Sequence, residues 1–389
     1  DWSSDVCSSD LAAKRTPFGK YNGFFKNESA TDLGVMALKG TLNSAQIKAE
    51  DIEALLMGNV LSTGLGENMA RQVALCSGMK NISASTTINE VCGSSLKAMR
   101  LAQGQMEMGD LNLVAVGGAE SMTNAPYFVA NQDDAQNHLQ SSMLIDGLND
   151  AFLKQHMGIT AENVARKYHV SRKEMDEFSL RSHQKATRAV KNGSFKNEII
   201  PSNLDDKKLT HDESIRPDTS MAALANLKPS FKRDGKVTAG NASPLSDGAS
   251  MVILATKEKV DELKLKPLAR LGAFAESGID PAYMGYAPYY AVTKLLHQTG
   301  RKITDYDIIE LNEAFASQSV ALVRDLQIST SKLNIFGGAI ALGHPLAASG
   351  TRLVASAINS LEHVNGKLAL VTLCIGGGQA IAYEIKRDF

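Results

Sequence analysis

Two stretches of the chain alternate short apolar runs with segments of helical spacing, and this alternation limits the possible folds more than any other feature. In the first stretch the predicted helices are 30–46, 67–79 and 94–108, and the predicted strands are 52–60, 85–89 and 111–118. In the second stretch the predicted strands are 251–256, 308–311, 368–375 and 379–385, and the predicted helices are 312–326 and 349–361. Strands that alternate with helices favour an α/β fold with a largely parallel sheet.

The residues between about 120 and 247 are polar and rich in predicted helix. Apolar spacing predicts amphipathic helices over 160–168, opening at Thr160, and over 171–190. We interpret this stretch as an inserted surface domain. The flanking stretches echo each other weakly, because LVAVGGAESM and LVTLCIGGGQAIA both run from a buried strand into glycines. The echo fits two similar half-domains, but also the strand–turn–helix units of any α/β protein.

Composition excludes several classes of protein. The chain has 41 Lys and Arg against 42 Asp and Glu, and so lacks the positive excess of nucleic-acid binders and polybasic membrane binders. No run approaches the roughly 18 apolar residues of a membrane-spanning helix. Four cysteines in 389 residues do not form a disulfide framework and indicate free thiols in a reducing compartment. With no secretory signal visible and no SKL-type address in the final KRDF, we expect a cytoplasmic protein.

Residues 1–11 (DWSSDVCSSDL) are interpreted as a sequencing-adapter artefact rather than native protein. The DNA string GACGTGTGCTCTTCCGATCT, familiar as an adapter, translates to DVCSSDL and matches residues 5–11 in full. A disordered polar tail is the alternative interpretation. Resequencing the gene across this junction tests the idea, because an uninterrupted run of native codons for DWSSDV would refute it.

The other three cysteines differ in their surroundings. Cys92 precedes small residues that open a predicted helix, whose positive end favours the nucleophilic thiolate; a structural cysteine before a helix cap is the alternative. Cys374 ends a strand and is followed by three glycines, which either bring backbone N–H groups close to a ligand or form a tight hairpin. Cys76 lies among apolar neighbours inside a predicted helix and is interpreted as a buried packing thiol.

A histidine and an asparagine complete the set of candidate reactive groups. His344 sits on a rigid turn between Gly343 and Pro345, a position that suits a catalytic base, although most lone histidines are structural. Asn312 follows a strand and precedes a helix, where it either caps the helix or donates to an oxyanion. No two of these cysteines and histidines are spaced as zinc ligands, so no metal is predicted. No phosphate-binding loop or dinucleotide fingerprint is present.

Several motifs together resemble the thiolase family, most closely its short-chain, biosynthetic branch. The motifs are RTP (15–17), NEVCGSSLKAM (89–99), VTAGNASPLSDGA (237–249), NEAFA (312–316), NIFGGAIALGHPLAASGTR (334–352) and LCIGGGQA (373–380). They occur in the family's order and spacing, and the resemblance covers residues 12–389. It implies a layered α/β/α/β/α fold of two similar βαβαβ-type half-domains with an inserted loop domain. The implied bounds are 12–119 completed by about 248–268, then 120–247 for the insertion and 269–389 for the C-terminal half.

The resemblance implies a two-step Claisen exchange between two molecules of acetyl-CoA. Cys92 corresponds to the acyl-accepting nucleophile, and His344 to the base that activates it. Cys374 corresponds to the second acid/base, which takes the α-proton from the incoming acetyl-CoA. Asn312 would orient a water that forms one oxyanion hole with His344, and the backbone N–H groups of Cys92 and Gly376 would form the other. One preorganised donor of this kind can be worth about 3 kcal/mol.

The same resemblance assigns the substrate-binding residues. The positions that match the family's CoA and acyl contacts are His156, Met157, Arg216, Leu227, Phe231, Ala239, Ala242, Ser243, Met284, Ala314 and Phe315. Met157 and Met284 near the acyl end would restrict chain length, although methionine is deformable. The family usually has glycine at the positions of Ala347 and Ser95, and we expect activity to survive both changes. Because residues 1–11 replace the family's apolar first strand, we expect this chain to lack a central strand.

Four functions are candidates. The leading one is acetyl-CoA C-acetyltransferase, in a cytoplasmic homotetramer (a dimer of dimers) that serves mevalonate or similar synthesis, with CoA as substrate and product and no cofactor. The nearest rival is a degradative 3-ketoacyl-CoA thiolase with longer substrates. A ketoacyl synthase would need two histidines instead of His344 and Cys374. A non-catalytic acyl-CoA-binding module would be expected to lack at least one reactive group, and all four are present.

Overall fold

A computed structural model describes residues 9–129 and 139–387 of the chain. In chain order its strands are β1 (Ser9–Arg15), β2 (Gly19–Lys20), β3 (Ala54–Gly58), β4 (Ala84–Ile88), β5 (Leu113–Ser121), β6 (Tyr127–Phe128), β7 (Gln140–Ser141), β8 (Asn149–Asp150), β9 (Gln155–His156), β10 (Ser202–Leu204), β11 (Lys207–Leu209), β12 (Ser246–Ala255), β13 (Ala269–Gly278), β14 (Ile308–Leu311), β15 (Leu368–Ile375) and β16 (Gln379–Lys386). The predicted strands of both stretches are confirmed, whereas β1 and β13 were not predicted.

The α-helices follow the same order. They are α1 (Ala30–Ala45), α2 (Met69–Cys76), α3 (Ser94–Glu107), α4 (Met157–Lys167), α5 (Arg172–Asn192), α6 (Met221–Ala225), α7 (Lys257–Leu263), α8 (Ala287–Thr299), α9 (Ala316–Asp325), α10 (Ala339–Leu342) and α11 (Ser349–Val364). A single π-helical segment covers Met143–Leu148. Within the described residues, no helix has the length and apolar character needed to cross a bilayer.

The same arrangement of strands occurs in both halves of the sheet. The first half has the order β1-β12-β5-β3-β4, with two antiparallel pairings followed by two parallel ones. The second half has the order β13-β16-β15-β14, again antiparallel, antiparallel and parallel, and a parallel bridge from Ile309 to Leu333 takes the place of the fifth strand. The predicted pair of similar half-domains is therefore confirmed at the level of strand order.

Helices lie between and outside the two halves. The helices α3 and α11 contact each other and the strands of both halves, whereas α1 and α2 pack on the first half and α8 on the second. Successive strand residues point to opposite faces, so Leu55 packs with α1 and α2 while Leu56 joins the central core. In β15, Leu370 and Val371 divide in the same way. Burial on both faces explains why these strands are continuous apolar runs.

The first strand is present, so the prediction that the chain lacks a central strand was wrong. The strand β1 pairs antiparallel with β12 over Ser9–Arg15, and Ser9 and Asp10 also pair with β13. Backbone groups alone make a ladder, and Ala12 and Ala13 supply small side chains that are buried. The interpretation of residues 1–11 as an adapter artefact stays a prediction, and residues 1–8 lie outside the described residues.

The polar middle stretch begins at the end of one strand of the sheet and ends at the start of the neighbouring strand. Ser121 at the end of β5 pairs with Asp247 in β12, so the intervening chain is inserted between neighbouring strands. Arg15 binds this insertion to the first strand, because its guanidinium lies 2.5 Å from both Glu198 and Asp212. All three side chains are fully buried.

Arg15→Met should reduce the free energy of unfolding by about 3–5 kcal/mol, because it leaves two carboxylates buried without their cation. Urea denaturation followed by circular dichroism measures this loss. Lys48→Met is the control, since that surface lysine lies 3.6 Å from Glu50 and remains largely exposed; its unfolding midpoint should not move. Adding Glu198→Gln and Asp212→Asn to Arg15→Met should recover part of the loss. A cost below about 1 kcal/mol for Arg15→Met would contradict the argument.

Cys76 is exposed, so its interpretation as a buried packing thiol was wrong. It is the last residue of α2, whose buried positions are Met69, Ala70, Val73 and Ala74. That stripe repeats at helical spacing, and position 76 falls outside it.

Candidate active site

The four predicted reactive residues meet at one cavity of about 480 Å³ or directly beneath it. Cys92 follows β4, Asn312 follows β14 and His344 follows α10. Cys374 is the next-to-last residue of β15. Cys92, His344 and Cys374 line the cavity, and Asn312 is fully buried against His344. Because β14 and β15 are parallel neighbours, their carboxyl ends bring Asn312 and Cys374 to the same edge.

The loop that carries Cys92 is fixed from both sides. Val91 has φ +47°, a left-handed conformation that a β-branched residue adopts only under constraint. Its N–H donates to Asn89 Oδ1 at 3.0 Å. The Ser94 hydroxyl accepts from the N–H of Glu90 at 2.9 Å and donates to the carbonyl oxygen of Val91 at 2.7 Å. The NEVCGSS motif therefore encodes a rigid turn that presents the thiol.

The resting state of Cys92 is a thiol. Burial raises the pKa of Cys92, and the neighbouring Cys374 raises it further. The backbone N–H groups of Gly376 and Cys92 itself bond the sulfur and oppose this rise. The prediction that the helix start favours a thiolate was therefore wrong in its outcome: Cys92 does lie at the start of α3, but desolvation is the larger effect. A base is needed to take its proton.

His344 is held in the tautomer that such a base requires. The Ser349 hydroxyl donates to the carbonyl oxygen of Pro345 at 2.9 Å, so its oxygen accepts from Nδ1–H of His344 at 2.5 Å. Nε2 then carries the lone pair. Burial, and then the charge of Arg352, lower the pKa of His344 to about 3. The imidazole is neutral at physiological pH and free to accept a proton.

Asn312 is fixed between His344 and Arg352. Its Oδ1 accepts from the guanidinium of Arg352 at 3.1 Å, which leaves Nδ2 facing His344 Nε2 at 3.4 Å. Asn312 does not cap a helix, because α9 begins at Ala316 with Phe315 as its N-cap residue. The capping interpretation was therefore wrong, and the alternative, a donor aimed into the site, fits the geometry.

Cys374 is almost fully buried and is also a thiol at neutral pH. Burial raises the pKa of Cys374 to about 11. Its Sγ–H donates to Oε1 of Gln318 at 3.2 Å. Met157, Met284, Ala314 and Cys374 form a small apolar cluster. The second thiol thus lies at the end of the cavity where methionine side chains crowd the space.

Most predicted substrate-binding residues line the same cavity. Those that do are His156, Met157, Arg216, Phe231, Ala239, Ala242, Ser243, Met284, Ala314 and Phe315. Leu227 does not line it; its side chain lies beside Gly240 instead. Sequence reasoning missed further apolar lining residues, namely Met122, Met143, Leu144, Leu148, Leu245 and Leu346. It also missed Gln318, Ser349 and Arg352. Ser349 and Arg352 lie inside the GHPLAASGTR motif, and Gln318 lies two residues after NEAFA.

His156 begins α4, so the predicted helix start at Thr160 was wrong. The helix opens at Met157, and Nδ1 of His156 accepts from the N–H of Gly158 at 3.0 Å. The ring also stacks on Phe231 at 4.5 Å between centroids. Burial lowers the pKa of His156. A histidine cap was not recognised because Ser, Thr, Asp and Asn are the usual caps.

Comparison with known proteins agrees with this site. Residues 11–258 match the family described as thiolase, N-terminal domain, and residues 265–387 match thiolase, C-terminal domain. A Staphylococcus aureus (strain COL) protein named "Probable acetyl-CoA acyltransferase" is 42% identical over 385 residues, covering 97% of this chain and 98% of that relative. An Allochromatium vinosum "Acetyl-CoA acetyltransferase" is 43% identical over 384 residues, covering 96% and 98%.

A solved structure is also similar to this chain in sequence and in fold. The human mitochondrial 3-ketoacyl-CoA thiolase in complex with CoA has a TM-score of 0.95 and 38% identity, and the match covers 98% of each chain. Sequence, strand order and three-dimensional likeness therefore agree over almost the whole length. The chain belongs to the thiolase family of acyltransferases.

Proposed function

We propose that the chain condenses two molecules of acetyl-CoA into acetoacetyl-CoA and CoA, and catalyses the reverse thiolysis, through an acetyl-Cys92 intermediate. The observation that carries this proposal is the pair of methionines, Met157 and Met284, that line the cavity together with Cys92. Met157 and Met284 are both buried there with Cys374. A Cβ at Gly376 would run into Cε of Met157, so that methyl group packs against the glycine turn. The side chains of Met157 and Met284 limit the room for the acyl chain, which favours a two-carbon acyl group.

The first half-reaction acetylates Cys92. Nε2 of His344 takes the proton of the Cys92 thiol while the sulfur attacks the thioester carbon of acetyl-CoA. The carbonyl oxygen gains negative charge and is stabilised by the backbone N–H groups of Cys92 and Gly376. The C–S bond to CoA breaks, and the CoA sulfur takes the proton of Cys374. An imidazolium and a thiolate form together, so the buried site stays neutral overall.

The second half-reaction forms the carbon–carbon bond. The Cys374 thiolate takes a proton from the methyl group of the second acetyl-CoA, and the C–H electron pair moves onto the thioester oxygen as an enolate. That oxygen is stabilised by His344 and by the water that Asn312 orients. The enolate carbon attacks the acetyl group, and the Cys92 sulfur leaves and takes the proton back from the imidazolium. All three residues return to their starting protonation states.

A degradative 3-ketoacyl-CoA thiolase is the second candidate. The cavity has a volume of about 480 Å³ and further apolar lining residues, among them Met122, Leu148 and Leu346, which could contact a longer acyl chain. The similarity to the human mitochondrial 3-ketoacyl-CoA thiolase supports the same alternative. Because both candidates use the same chemistry, only chain-length preference separates them.

The test is thiolysis of acetoacetyl-CoA and of 3-ketoacyl-CoA substrates of increasing length. We expect kcat/KM to fall by about 10-fold or more for each methylene that does not fit. Met284→Ala should raise the relative activity on six-carbon substrates about 10-fold, because it removes buried side-chain volume at the acyl end. Met143→Ala, at another apolar position that lines the cavity, is the control. It should leave the ratio of six-carbon to four-carbon activity unchanged. A constant kcat/KM out to long chains, or an effect of Met143→Ala alone, would favour the degradative candidate.

Assembly, location and cofactor use are also proposals. We infer a cytoplasmic homotetramer (a dimer of dimers) that supplies acetoacetyl-CoA for mevalonate or similar synthesis, with CoA as substrate and product and no cofactor. The family resemblance supports the assembly and the pathway. The free cysteines Cys76, Cys92 and Cys374 fit a reducing compartment. Light scattering on the purified protein measures the assembly, and a monomer would refute it.

A further inference from the structure

Gln318 lies between Cys374 and Asn312, and the proposed mechanism gives it no role of its own. It is on the first turn of α9 and is 1% exposed. Its Oε1 accepts from the thiol of Cys374 at 3.2 Å, and its Nε2 donates to the backbone carbonyl oxygen of Asn312 at 3.0 Å. One amide therefore connects the second acid/base to the residue that holds the oxyanion water.

We propose that Gln318 is a positioning residue for the carbon–carbon bond-forming half-reaction: it orients the Cys374 thiol and fixes its sulfur relative to Asn312. This inference rests on the proposed function, because it assigns Cys374 to α-proton transfer. It predicts that Gln318 matters for enolate formation and much less for acetylation of Cys92.

The orientation of the amide is fixed by its surroundings. The carbonyl oxygen of Asn312 is an acceptor only, so the group that faces it must be Nε2 of Gln318. Oε1 is then forced to face Cys374. The side chain also packs against Gly285, where a Cβ would lie 2.9 Å from Cβ of Gln318. The amide is thereby confined, and the thiol hydrogen of Cys374 has one defined direction.

This orientation of the Cys374 S–H bond suits a thiolate base that forms only during the reaction. An amide oxygen can bond the thiol but not the thiolate, so the thiolate formed during the first half-reaction has no stabilising contact from Gln318. It is strongly basic, as removal of a weakly acidic α-proton requires. When the thiolate takes that proton from the methyl group, the S–H bond is restored and donates again to Oε1. The titratable or charged groups that share the cavity with Cys374 are Cys92, His156, Arg216 and His344.

The same amide also sets the position of the oxyanion site. Asn312 is held by Arg352 through its side chain and by Gln318 through its backbone. Loss of the two Gln318 hydrogen bonds would let the sulfur and the oxyanion donors move independently of each other. Misplacement of about 1 Å can cost roughly 100-fold in rate. Acetylation of Cys92 uses other oxyanion donors, the backbone N–H groups of Cys92 and Gly376. It needs Cys374 only to protonate the CoA thiolate, which is a good leaving group, so it depends much less on this link.

The test separates the two half-reactions in three variants. Gln318→Met has similar length and lacks both hydrogen bonds. Gln318→Glu, when its buried carboxyl is protonated, can make both bonds, and when ionised it places a negative charge beside Cys374. Ser317→Ala removes a neighbouring buried hydroxyl on the same helix and is the control. Acetyl-Cys92 formation is followed by mass spectrometry of the intact protein, and enolate formation by exchange of the acetyl-CoA methyl protons with D2O.

We expect Gln318→Met to keep acetylation within about threefold of the unchanged protein and to lose roughly 100-fold in methyl-proton exchange. We expect Gln318→Glu to exchange well near pH 6 and to lose exchange as the pH rises and its carboxyl ionises, a limb that the unchanged protein lacks. Ser317→Ala should match the unchanged protein in both measurements. This pH dependence is a form of rescue that a purely structural role would not produce.

Equal loss of both half-reactions in Gln318→Met, with folding intact by circular dichroism, would overturn the inference, and so would wild-type exchange in that variant. If Gln318→Met does not fold, the pH profile of Gln318→Glu decides, and a flat profile overturns the inference. Failure of the proposed function gives a different result, because the unchanged protein would then form no acetyl-Cys92 or catalyse no exchange.

Discussion

Replacing Cys92 with serine should lower turnover by roughly 10⁴-fold or more while CoA binding is unchanged. The serine hydroxyl is a much weaker acid than a thiol, and the base proposed to activate it is His344, whose pKa is held at about 3. That imidazole is too weak a base to activate an alcohol. CoA binding should persist, because Arg216, Phe231 and the rest of the cavity wall do not depend on the sulfur. Turnover measures the loss, and titration calorimetry with CoA measures the retained binding.

Cys76→Ser is the matched control for this experiment. It makes the same chemical change at an exposed thiol at the end of α2. Its turnover should equal that of the unchanged protein. Cys92→Ser should also show no acetyl adduct by mass spectrometry after incubation with acetyl-CoA. Turnover within about 10-fold of the unchanged protein would show that Cys92 does not carry the acetyl group.

The reactive residues could be predicted because each lies where a motif of small residues meets the end of a strand. Asn312 and Cys374 follow or end buried strands whose apolar runs are visible in the sequence, and Cys92 follows the short, partly exposed strand β4. Parallel strands deliver such positions to one edge, so their convergence follows from the fold class. The GGAIALGHP segment gave His344 for a related reason, because a Gly- and Pro-bounded turn presents its side chain rigidly.

The groups that orient these residues could not be predicted. Gln318, Ser349 and Arg352 lie on helices and read as ordinary polar helix positions. Their roles depend on contacts with residues far away in the chain, such as the bond from Gln318 to Cys374. The strand β13 was missed for the same reason, since its partners β1 and β16 lie at the two ends of the sequence. Long-range pairing leaves no local period to detect.

The charge state of Cys92 shows where sequence reasoning about electrostatics fails. Its position at a helix start was predicted correctly, and a helix dipole is worth up to about 2 kcal/mol. Full burial can shift a pKa by 3–5 units, which corresponds to about 4–7 kcal/mol. Burial therefore outweighs the dipole, and the thiol stays protonated. Burial depends on the packing of α3 and α11 between the two halves, which the sequence around Cys92 does not encode.

His344→Asn should lower acetylation of Cys92 by roughly 10²–10⁴-fold, because it removes the base that we propose for the Cys92 thiol. The assignment rests on the bonds that fix the ring: Nδ1–H to Ser349 and the Nδ2 group of Asn312 beside Nε2. The single-turnover rate of acetyl-enzyme formation is the measurement. His363→Asn, at the exposed end of α11, is the control and should change nothing.

The pH dependence of the same step tests the charge of the imidazole. A base acts in its unprotonated form, and a pKa of about 3 keeps His344 unprotonated at every pH above about 4. Acetylation by the unchanged protein should therefore stay nearly constant as the pH falls from 8 to 5.5. An ordinary histidine would lose about 10-fold per pH unit below 6.5. Such a loss, absent from His344→Asn, would mean that His344 is the base but that burial and Arg352 do not hold its pKa low, which would contradict the neutral resting state assigned to the ring.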